Sequence, residues 1–349
     1  MADERSLAEP DWRAWPKALL HEHLDGSLRP QTLLELCHER GVKVPATDAA
    51  GLAAWVQANA DSGSLERFLQ GFALTVAAMA SVEACERVAF EAAEDARLDG
   101  CVLAEFRIAP LLLEPFGLSG EAVTEALLRG LERSPLASGL IVCAMRTDAP
   151  ARAERAAALA ARYCDRGVIG FDLAGAERGH PPTDHARAFA IAREAGLGLT
   201  CHAGEADSGE RVLEAARLGI RRIGHGVQIM SAPDDATQRR WLQQARELGL
   251  HFEVCPTSNL HTGAAGSMAA HPVREMIAQG LQVSVSTDNT LMSGVTLSGE
   301  LRSLHRHAGL TPAQLARTMR DAAAVSFLPA AKRNAALQAM QQWELTLEG

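Results

Sequence analysis

The chain is poor in aromatic residues, which make up 4% of its 349 positions with a single tyrosine, although 47% of it is hydrophobic. Its apolar mass is aliphatic, dominated by Ala and Leu, which suits helices packed on buried strands. Long hydrophobic runs are missing as well. Arg, Glu or Asp interrupts each one well before the roughly 18 residues that a bilayer crossing needs, so no membrane association is expected. Positive charge is not in excess. A formal net charge of −9 and the lack of a basic tract argue against a nucleic-acid partner, because such proteins concentrate Lys and Arg to neutralise phosphates. The polar, acidic start over residues 1–10 lacks the basic-then-apolar layout of an export signal, and a cytoplasmic location is expected. Seven cysteines (Cys37, Cys85, Cys101, Cys143, Cys164, Cys201 and Cys255) form an odd number without close pairs. That excludes a disulfide framework or a Cys-rich zinc site and predicts buried thiols.

What is present alternates. From residue 16 onward, short apolar or β-branched runs preceded by Gly take turns with amphipathic helical stretches, the pattern of repeated βα units on a parallel sheet. Eight strands are predicted: Lys17–His23, Cys101–Ile108, Leu140–Arg146, Val168–Leu173, Leu197–His202, Arg222–Val227, His251–Pro256 and Gln282–Thr287. Helices fall between them at Val82–Leu98, Glu121–Glu132, Ala151–Cys164, Ala186–Ala195, Glu210–Leu218, Ala236–Leu248 and Pro272–Gln279. Two stretches stand outside the alternation. Residues 30–80 hold helical segments at Thr32–Arg40, Leu52–Ala58 and Ser64–Ala77, too long for a plain crossover, and predict an insertion over the barrel mouth. From Thr311 onward two helices split at Pro329, expected to pack across the barrel exterior. The reading is α/β: one (β/α)8 barrel domain over residues 1–349, with a helical insertion after the first strand and C-terminal helices. A barrel of about 250 residues with insertions reaches this length.

Barrel enzymes carry their reactive groups at the C-terminal ends of the strands. Here the first strand ends in His21-Glu22-His23-Leu24-Asp25-Gly26, the fifth in His202-Ala203-Gly204-Glu205, the sixth in Gly224-His225-Gly226 and the eighth in Thr287-Asp288-Asn289. Alternation puts His21 and His23 on one face and turns Glu22 away from them. Two imidazoles, His202 and the Asp288 carboxylate make a nitrogen and oxygen set suited to zinc with a position left open for water. A lone His-x-His pair is more often two ordinary strand histidines; the four-strand pattern reverses that preference toward the metal. Zinc would bring the pKa of bound water to about 7. Asp288 could bind the metal and take the water's proton, while His225 is placed to steady the attacking oxygen. Glu205 could donate a proton to a ring nitrogen. Its alternative is a charge at the start of the following helix, near Ser208-Gly209-Glu210.

Six motifs, in order and at barrel spacing, resemble those of the adenosine deaminase family of metal-dependent amidohydrolases. They are Leu20-His21-Glu22-His23-Leu24-Asp25-Gly26, Asp172-Leu173-Ala174-Gly175, His202-Ala203-Gly204-Glu205, Ile223-Gly224-His225-Gly226, Cys255-Pro256-Thr257-Ser258-Asn259 and Ser286-Thr287-Asp288-Asn289. The resemblance spans nearly the whole chain. It implies one zinc ion held by His21, His23, His202 and Asp288, with Glu205 protonating purine N1 and His225 assisting attack at C6. It further implies that Asp25 binds a ribose hydroxyl, that the Gly175 N–H meets N3 and that residue 289 contacts N7. The commonest family pattern has a second aspartate where this chain has Asn289, and an Asn amide donates to N7 at any pH. Ser64–Phe72 would be an apolar lid, though a plain amphipathic helix explains its pattern as well.

The expected reaction is deamination of adenosine or 2'-deoxyadenosine to inosine or deoxyinosine and ammonia. The alternatives are a deaminase of adenine or of N6-modified or extended adenosines, and a non-catalytic purine-binding protein on the same scaffold. Polynucleotide deaminases use H-x-E followed by P-C-x-x-C, and the chain has no C-x-x-C. A purine nucleoside or base is therefore the expected partner, and nothing in the sequence marks an oligomeric state.

Overall fold

A computed structural model describes residues 10–348; the acidic N-terminal stretch, apart from Pro10, lies outside the described residues. Eight parallel strands pair in sequence order. They are β1 (Lys17–His23), β2 (Cys101–Ile108), β3 (Ala137–Met145), β4 (Val168–Ala174), β5 (Gly198–Ala203), β6 (Arg222–His225), β7 (His251–Val254) and β8 (Gln282–Val285). The fold is the expected (β/α)8 barrel. The last three strands stop short of the expected ends at Val227, Pro256 and Thr287, for reasons local to each. His225 has φ +58°, outside the strand region. Pro256 has no N–H for the ladder and instead begins the helix Pro256–His261. Beyond Thr287 the chain turns at Asp288, with φ +62°.

The barrel closes through the residues at this turn. Glu22 bridges to Asp288 in parallel, the His23 N–H donating to the Asp288 carbonyl at 2.7 Å and the Asp288 N–H to the His21 carbonyl at 2.9 Å. The seam between β1 and the end of β8 is thus made from the backbone of three candidate metal ligands.

The chain between β1 and β2 folds into the helices Pro30–Glu39, Ala49–Ala60, Leu65–Gln70 and Phe72–Ala78 before the long helix Val82–Leu98. The continuous helix expected over Ser64–Ala77 is broken at Gly71, whose N–H reaches only to Phe68 O at 3.1 Å before the next helix starts. Glycine has little tendency to continue a helix, which accounts for a break at this position. Sequence reading missed the helix Leu297–His307, which the Thr296 side chain caps by accepting from the Gly299 N–H.

The C-terminal helices, Pro312–Val325 and Ala330–Glu348, do pack on the barrel exterior, the first against β8 and β1 and the second against β2. The turn between them does more. Ser326 Oγ and the Phe327 N–H donate to the buried Glu105 Oε1 at 2.6 and 2.5 Å. The Phe327 ring lies 3.7 Å from the Arg222 guanidinium centre, a cation–π contact at the N-terminal end of the barrel. Gly198 and Gly170 make room for that ring, since a Cβ at Gly198 would stand 2.2 Å from Phe327 Cγ. Among the described residues no single helix is long and apolar enough to cross a membrane. Because the Phe327 ring cannot keep its place beside a methyl group, Gly198→Ala is expected to lower the unfolding free energy by about 1–3 kcal/mol. Urea denaturation followed by circular dichroism checks it, and an unchanged midpoint would contradict this account of the barrel floor.

Candidate active site

The opposite end of the barrel gathers the imidazoles. His21, His23, His202 and Asp288 are buried, and one ligand atom from each lies within 4.8 Å of all the others. His23 Nε2 is 3.1 Å from His202 Nε2, and Asp288 Oδ1 is 3.4 and 3.5 Å from Nε2 of His21 and His23. Strand alternation brings His21 and His23 here and sends Glu22 outward, where its carboxyl accepts from Thr287 Oγ1 at 2.8 Å. A second, overlapping set of His21, His225, Cys255 and Asp288 is also within 4.8 Å. It is the poorer donor set: burial and the nearby Asp288 carboxylate push the Cys255 thiol well above its usual range, and His225 Nδ1 is taken up by the Asn259 amide.

What stands behind the imidazoles decides whether they suit a cation. His21 Nδ1 faces Glu253 Oε2 at 3.0 Å, and His202 Nδ1 faces Asp172 at 3.0 Å. Burial raises both carboxyls, but Arg222 and Arg107 outweigh it at Glu253, and His202 and Arg107 outweigh it at Asp172, holding both well below the usual range. An ionised carboxylate only accepts, so Nδ1 of His21 and of His202 must carry the proton and each Nε2 presents a lone pair. His21 Nε2 is indeed buried without a hydrogen-bond partner. Burial also keeps the His23 ring neutral. Lone pairs converging on one gap repel unless a cation sits between them, and carboxylate-backed histidines are the usual surroundings of a metal. The residues present therefore fit a metal ion.

Two further side chains face the same gap. Glu205 is buried, and burial, with the Asp288 charge beside it, raises its carboxyl far above the ordinary range. That environment favours the protonated, uncharged form of the acid. The turn that carries it is held by Glu177, whose buried carboxylate accepts the backbone N–H groups of Gly204, Glu205, Ala206 and Asp207 at 2.5–3.1 Å. Thr262 Oγ1 donates to Glu205 Oε1 at 2.9 Å, leaving Oε2, 3.6 Å from His225 Nε2, to carry the proton. Among the described residues His225 and Asp288 are the two non-glycine positions with positive φ. Such conformations cost of order 1–3 kcal/mol and persist where the surroundings fix them.

These groups open into a cavity of about 340 Å³, lined by His23, Asp25, Gly175, His202, Glu205, His225, Asp288 and Asn289. The rest of its wall is apolar and includes Leu65, Phe68, Leu69, Phe72 and Val76 of the inserted helices. Asp25 is buried, which pushes its carboxyl up to about 7, and its Oδ1 has no partner. Gly175 takes φ +100°, which only glycine adopts readily. Asn289 Oδ1 is also buried and unpartnered, and it lies where a Cβ on Gly26 would be, 1.8 Å away. Gly26 is thus the residue that makes room for Asn289. Every site residue expected from the sequence reaches this cavity or its floor.

The sequence reading missed the supporting residues. Asp172 and Asn259 lay inside quoted motifs without a role, and Arg107, Glu177, Glu253, Thr262 and His271 went unmarked. A signal existed for some of them. Glu105, Arg107, Arg222 and Glu253 are charges inside strands that are otherwise apolar, and charged residues are almost never fully buried unless paired. Glu177, Thr262 and His271 sit in loops and helix ends, where polar residues draw no notice.

Comparison with known proteins agrees with this geometry. The family model for adenosine deaminase matches residues 16–343. The adenosine deaminase of Mycobacterium tuberculosis is 42% identical over 333 residues, 91% of each chain. The crystal structure of adenine deaminase from Arthrobacter aurescens superposes with TM-score 0.83 at 26% identity, over 95% of this chain and 99% of that one. An amidohydrolase from Burkholderia ambifaria with bound Zn shares the fold at TM-score 0.86 and 23% identity, over 99% of this chain and 96% of that one. With a family match running from the start of β1 into the last helix, and the motifs gathered at one barrel mouth, this chain belongs to the adenosine deaminase family.

Proposed function

We propose that this chain catalyses the hydrolytic deamination of adenosine, and of 2'-deoxyadenosine, to the corresponding inosine and ammonia, with zinc held by His21, His23, His202 and Asp288. The observation that carries the reading is the buried Glu205 set beside a three-histidine, one-aspartate donor set at the floor of an apolar cavity. Three nitrogens and one oxygen are a donor set that zinc accepts. A divalent ion there supplies Lewis-acid activation of water near neutral pH.

The chain's own residues do the rest. Glu205 donates its proton from Oε2 to purine N1, which makes C6 more electrophilic, and the attacking water gives a proton to Asp288. His225 faces the oxygen that gains charge. The Asn289 amide donates to N7 and the Gly175 N–H to N3, fixing the ring in one orientation. Leu65, Phe68, Leu69 and Phe72 exclude water, so that these polar contacts act at low dielectric. In this reading the whole chain is one catalytic domain and the helices between β1 and β2 are its lid.

A second reading, turnover of adenine or of an extended adenosine, is favoured less by two features. Asp25 keeps a buried, unpartnered oxygen in the cavity, suited to a sugar hydroxyl that a free base lacks. Among the described residues no Lys or Arg lines that cavity, so it offers no permanent cation to hold a 5'-phosphate. The net charge of −9 also favours a free nucleoside over a polynucleotide.

Three outcomes are expected. In an absorbance assay adenosine is turned over at least about a hundredfold faster, as kcat/KM, than adenine or adenosine 5'-monophosphate, because each competitor leaves Asp25 unpaired or opposes it; comparable turnover of either would refute the substrate assignment. Glu205→Gln keeps its metal but loses about 10²–10⁴-fold in kcat, and elemental analysis beside the assay separates the two. His202→Ala is expected to lower zinc per chain itself, and full occupancy after dialysis would remove His202 from the ligand set.

A further inference from the structure

The polarity of one hydrogen-bond chain is set by a group that has no choice. A backbone N–H can only donate, and that of Val273 donates to His271 Nδ1 at 3.1 Å. His271 is buried, and burial lowers its ring to about 4, so it is neutral at pH 7. With Nδ1 accepting, the His271 proton sits on Nε2, which therefore donates to Asn259 Oδ1 at 3.3 Å. The amide is then oriented with its nitrogen toward His225, donating from Nδ2 to His225 Nδ1 at 3.0 Å. Asn259 is itself fully buried. Each link leaves the next a single choice.

We propose that His271 and Asn259 are positioning residues that lock His225 in the tautomer with the proton on Nε2, so that this histidine donates a hydrogen bond to the reacting oxygen and does not act as the base. The inference rests on the deaminase reading. With Nδ1 occupied by the Asn259 amide and Nε2 already protonated, His225 has no free lone pair to take a proton from water. The proton released on attack must go to a carboxylate; of the three that line the cavity, Glu205 is the donor to N1 and Asp25 faces the sugar, which leaves Asp288. A donor already aimed at the oxygen that gains negative charge needs no reorganisation during the reaction. The left-handed backbone at His225, φ +58°, points the ring at both the Asn259 amide and the cavity.

Nitrogen-15 NMR of the metal-loaded enzyme labelled at histidine reads the tautomer directly, with His225 assigned by the signals lost in His225→Gln. The expected result is a one-bond N–H coupling at Nε2 and an unprotonated Nδ1. A proton on Nδ1 overturns the proposal whether or not any variant folds. Asn259→Asp supplies a carboxylate that accepts from both neighbours, so the His225 proton should move to Nδ1 while kcat falls about a hundredfold and KM changes by less than about threefold. A moved proton with wild-type kcat would overturn the catalytic role. Failure of the deaminase reading would look different: the wild-type enzyme would carry the expected tautomer and leave adenosine unchanged.

Discussion

The site depends on a single buried arginine. Arg107 projects from β2 into the barrel, donating to Asp172 at 2.8 Å, to Glu253 at 2.6 Å and to the Leu20 carbonyl at 2.7 Å. The two carboxylates it joins are the ones behind His202 and His21. A buried ion costs several kcal/mol unless it is paired, and removing one partner of a buried pair costs about 3–5 kcal/mol because it strands the other. Arg222 extends the arrangement, hydrogen-bonded to Glu253 at 2.6 Å and ion-paired with Glu105 at 2.7 Å, so opposite charges alternate from the ligand end of the barrel toward its floor. Keeping Asp172 and Glu253 ionised is what forces two imidazoles to turn their lone pairs to the same gap.

Closure of the barrel and assembly of the site are one event. The seam between β1 and the segment after β8 is made by backbone bonds of His21, His23 and Asp288. A ligand set built from a seam cannot form before the last strand docks, and a metal bound across it would tie the first and last strands together. The two left-handed non-glycine residues, His225 and Asp288, lie at this end of the barrel and nowhere else among the described residues. Local strain of that kind is tolerated where fixed neighbours over-determine the geometry.

Two kinds of support meet at the cavity. Below it are buried charges joined in ion pairs; above it are Leu and Phe side chains from the short inserted helices, with the Phe68 and Phe72 rings 5.9 Å apart. The apolar cover raises the strength of each polar contact beneath it, and the burial it provides shifts Glu205 toward its protonated form. Glu177 shows how economical the arrangement is, because one carboxylate fixes four successive backbone N–H groups and with them the acid's position.

The sequence alone determined what is periodic or terminal. Alternating apolar runs gave eight strands in order, and the polar residues ending four of them, with the two-residue spacing of His21 and His23, marked the candidate metal set and Glu205. Such features are local, and a chain read one segment at a time reveals them. Tertiary structure decided the rest: which carboxylates back which histidines, which loop residues hold Glu205, and which tautomer His225 adopts. Arg107 and Glu253 are 146 positions apart, and Asn259 acquires a direction only through His271 and a backbone N–H. Hydrogen-bond polarity and charge pairing depend on who the neighbour is, and neighbours from different strands are fixed only when the barrel closes.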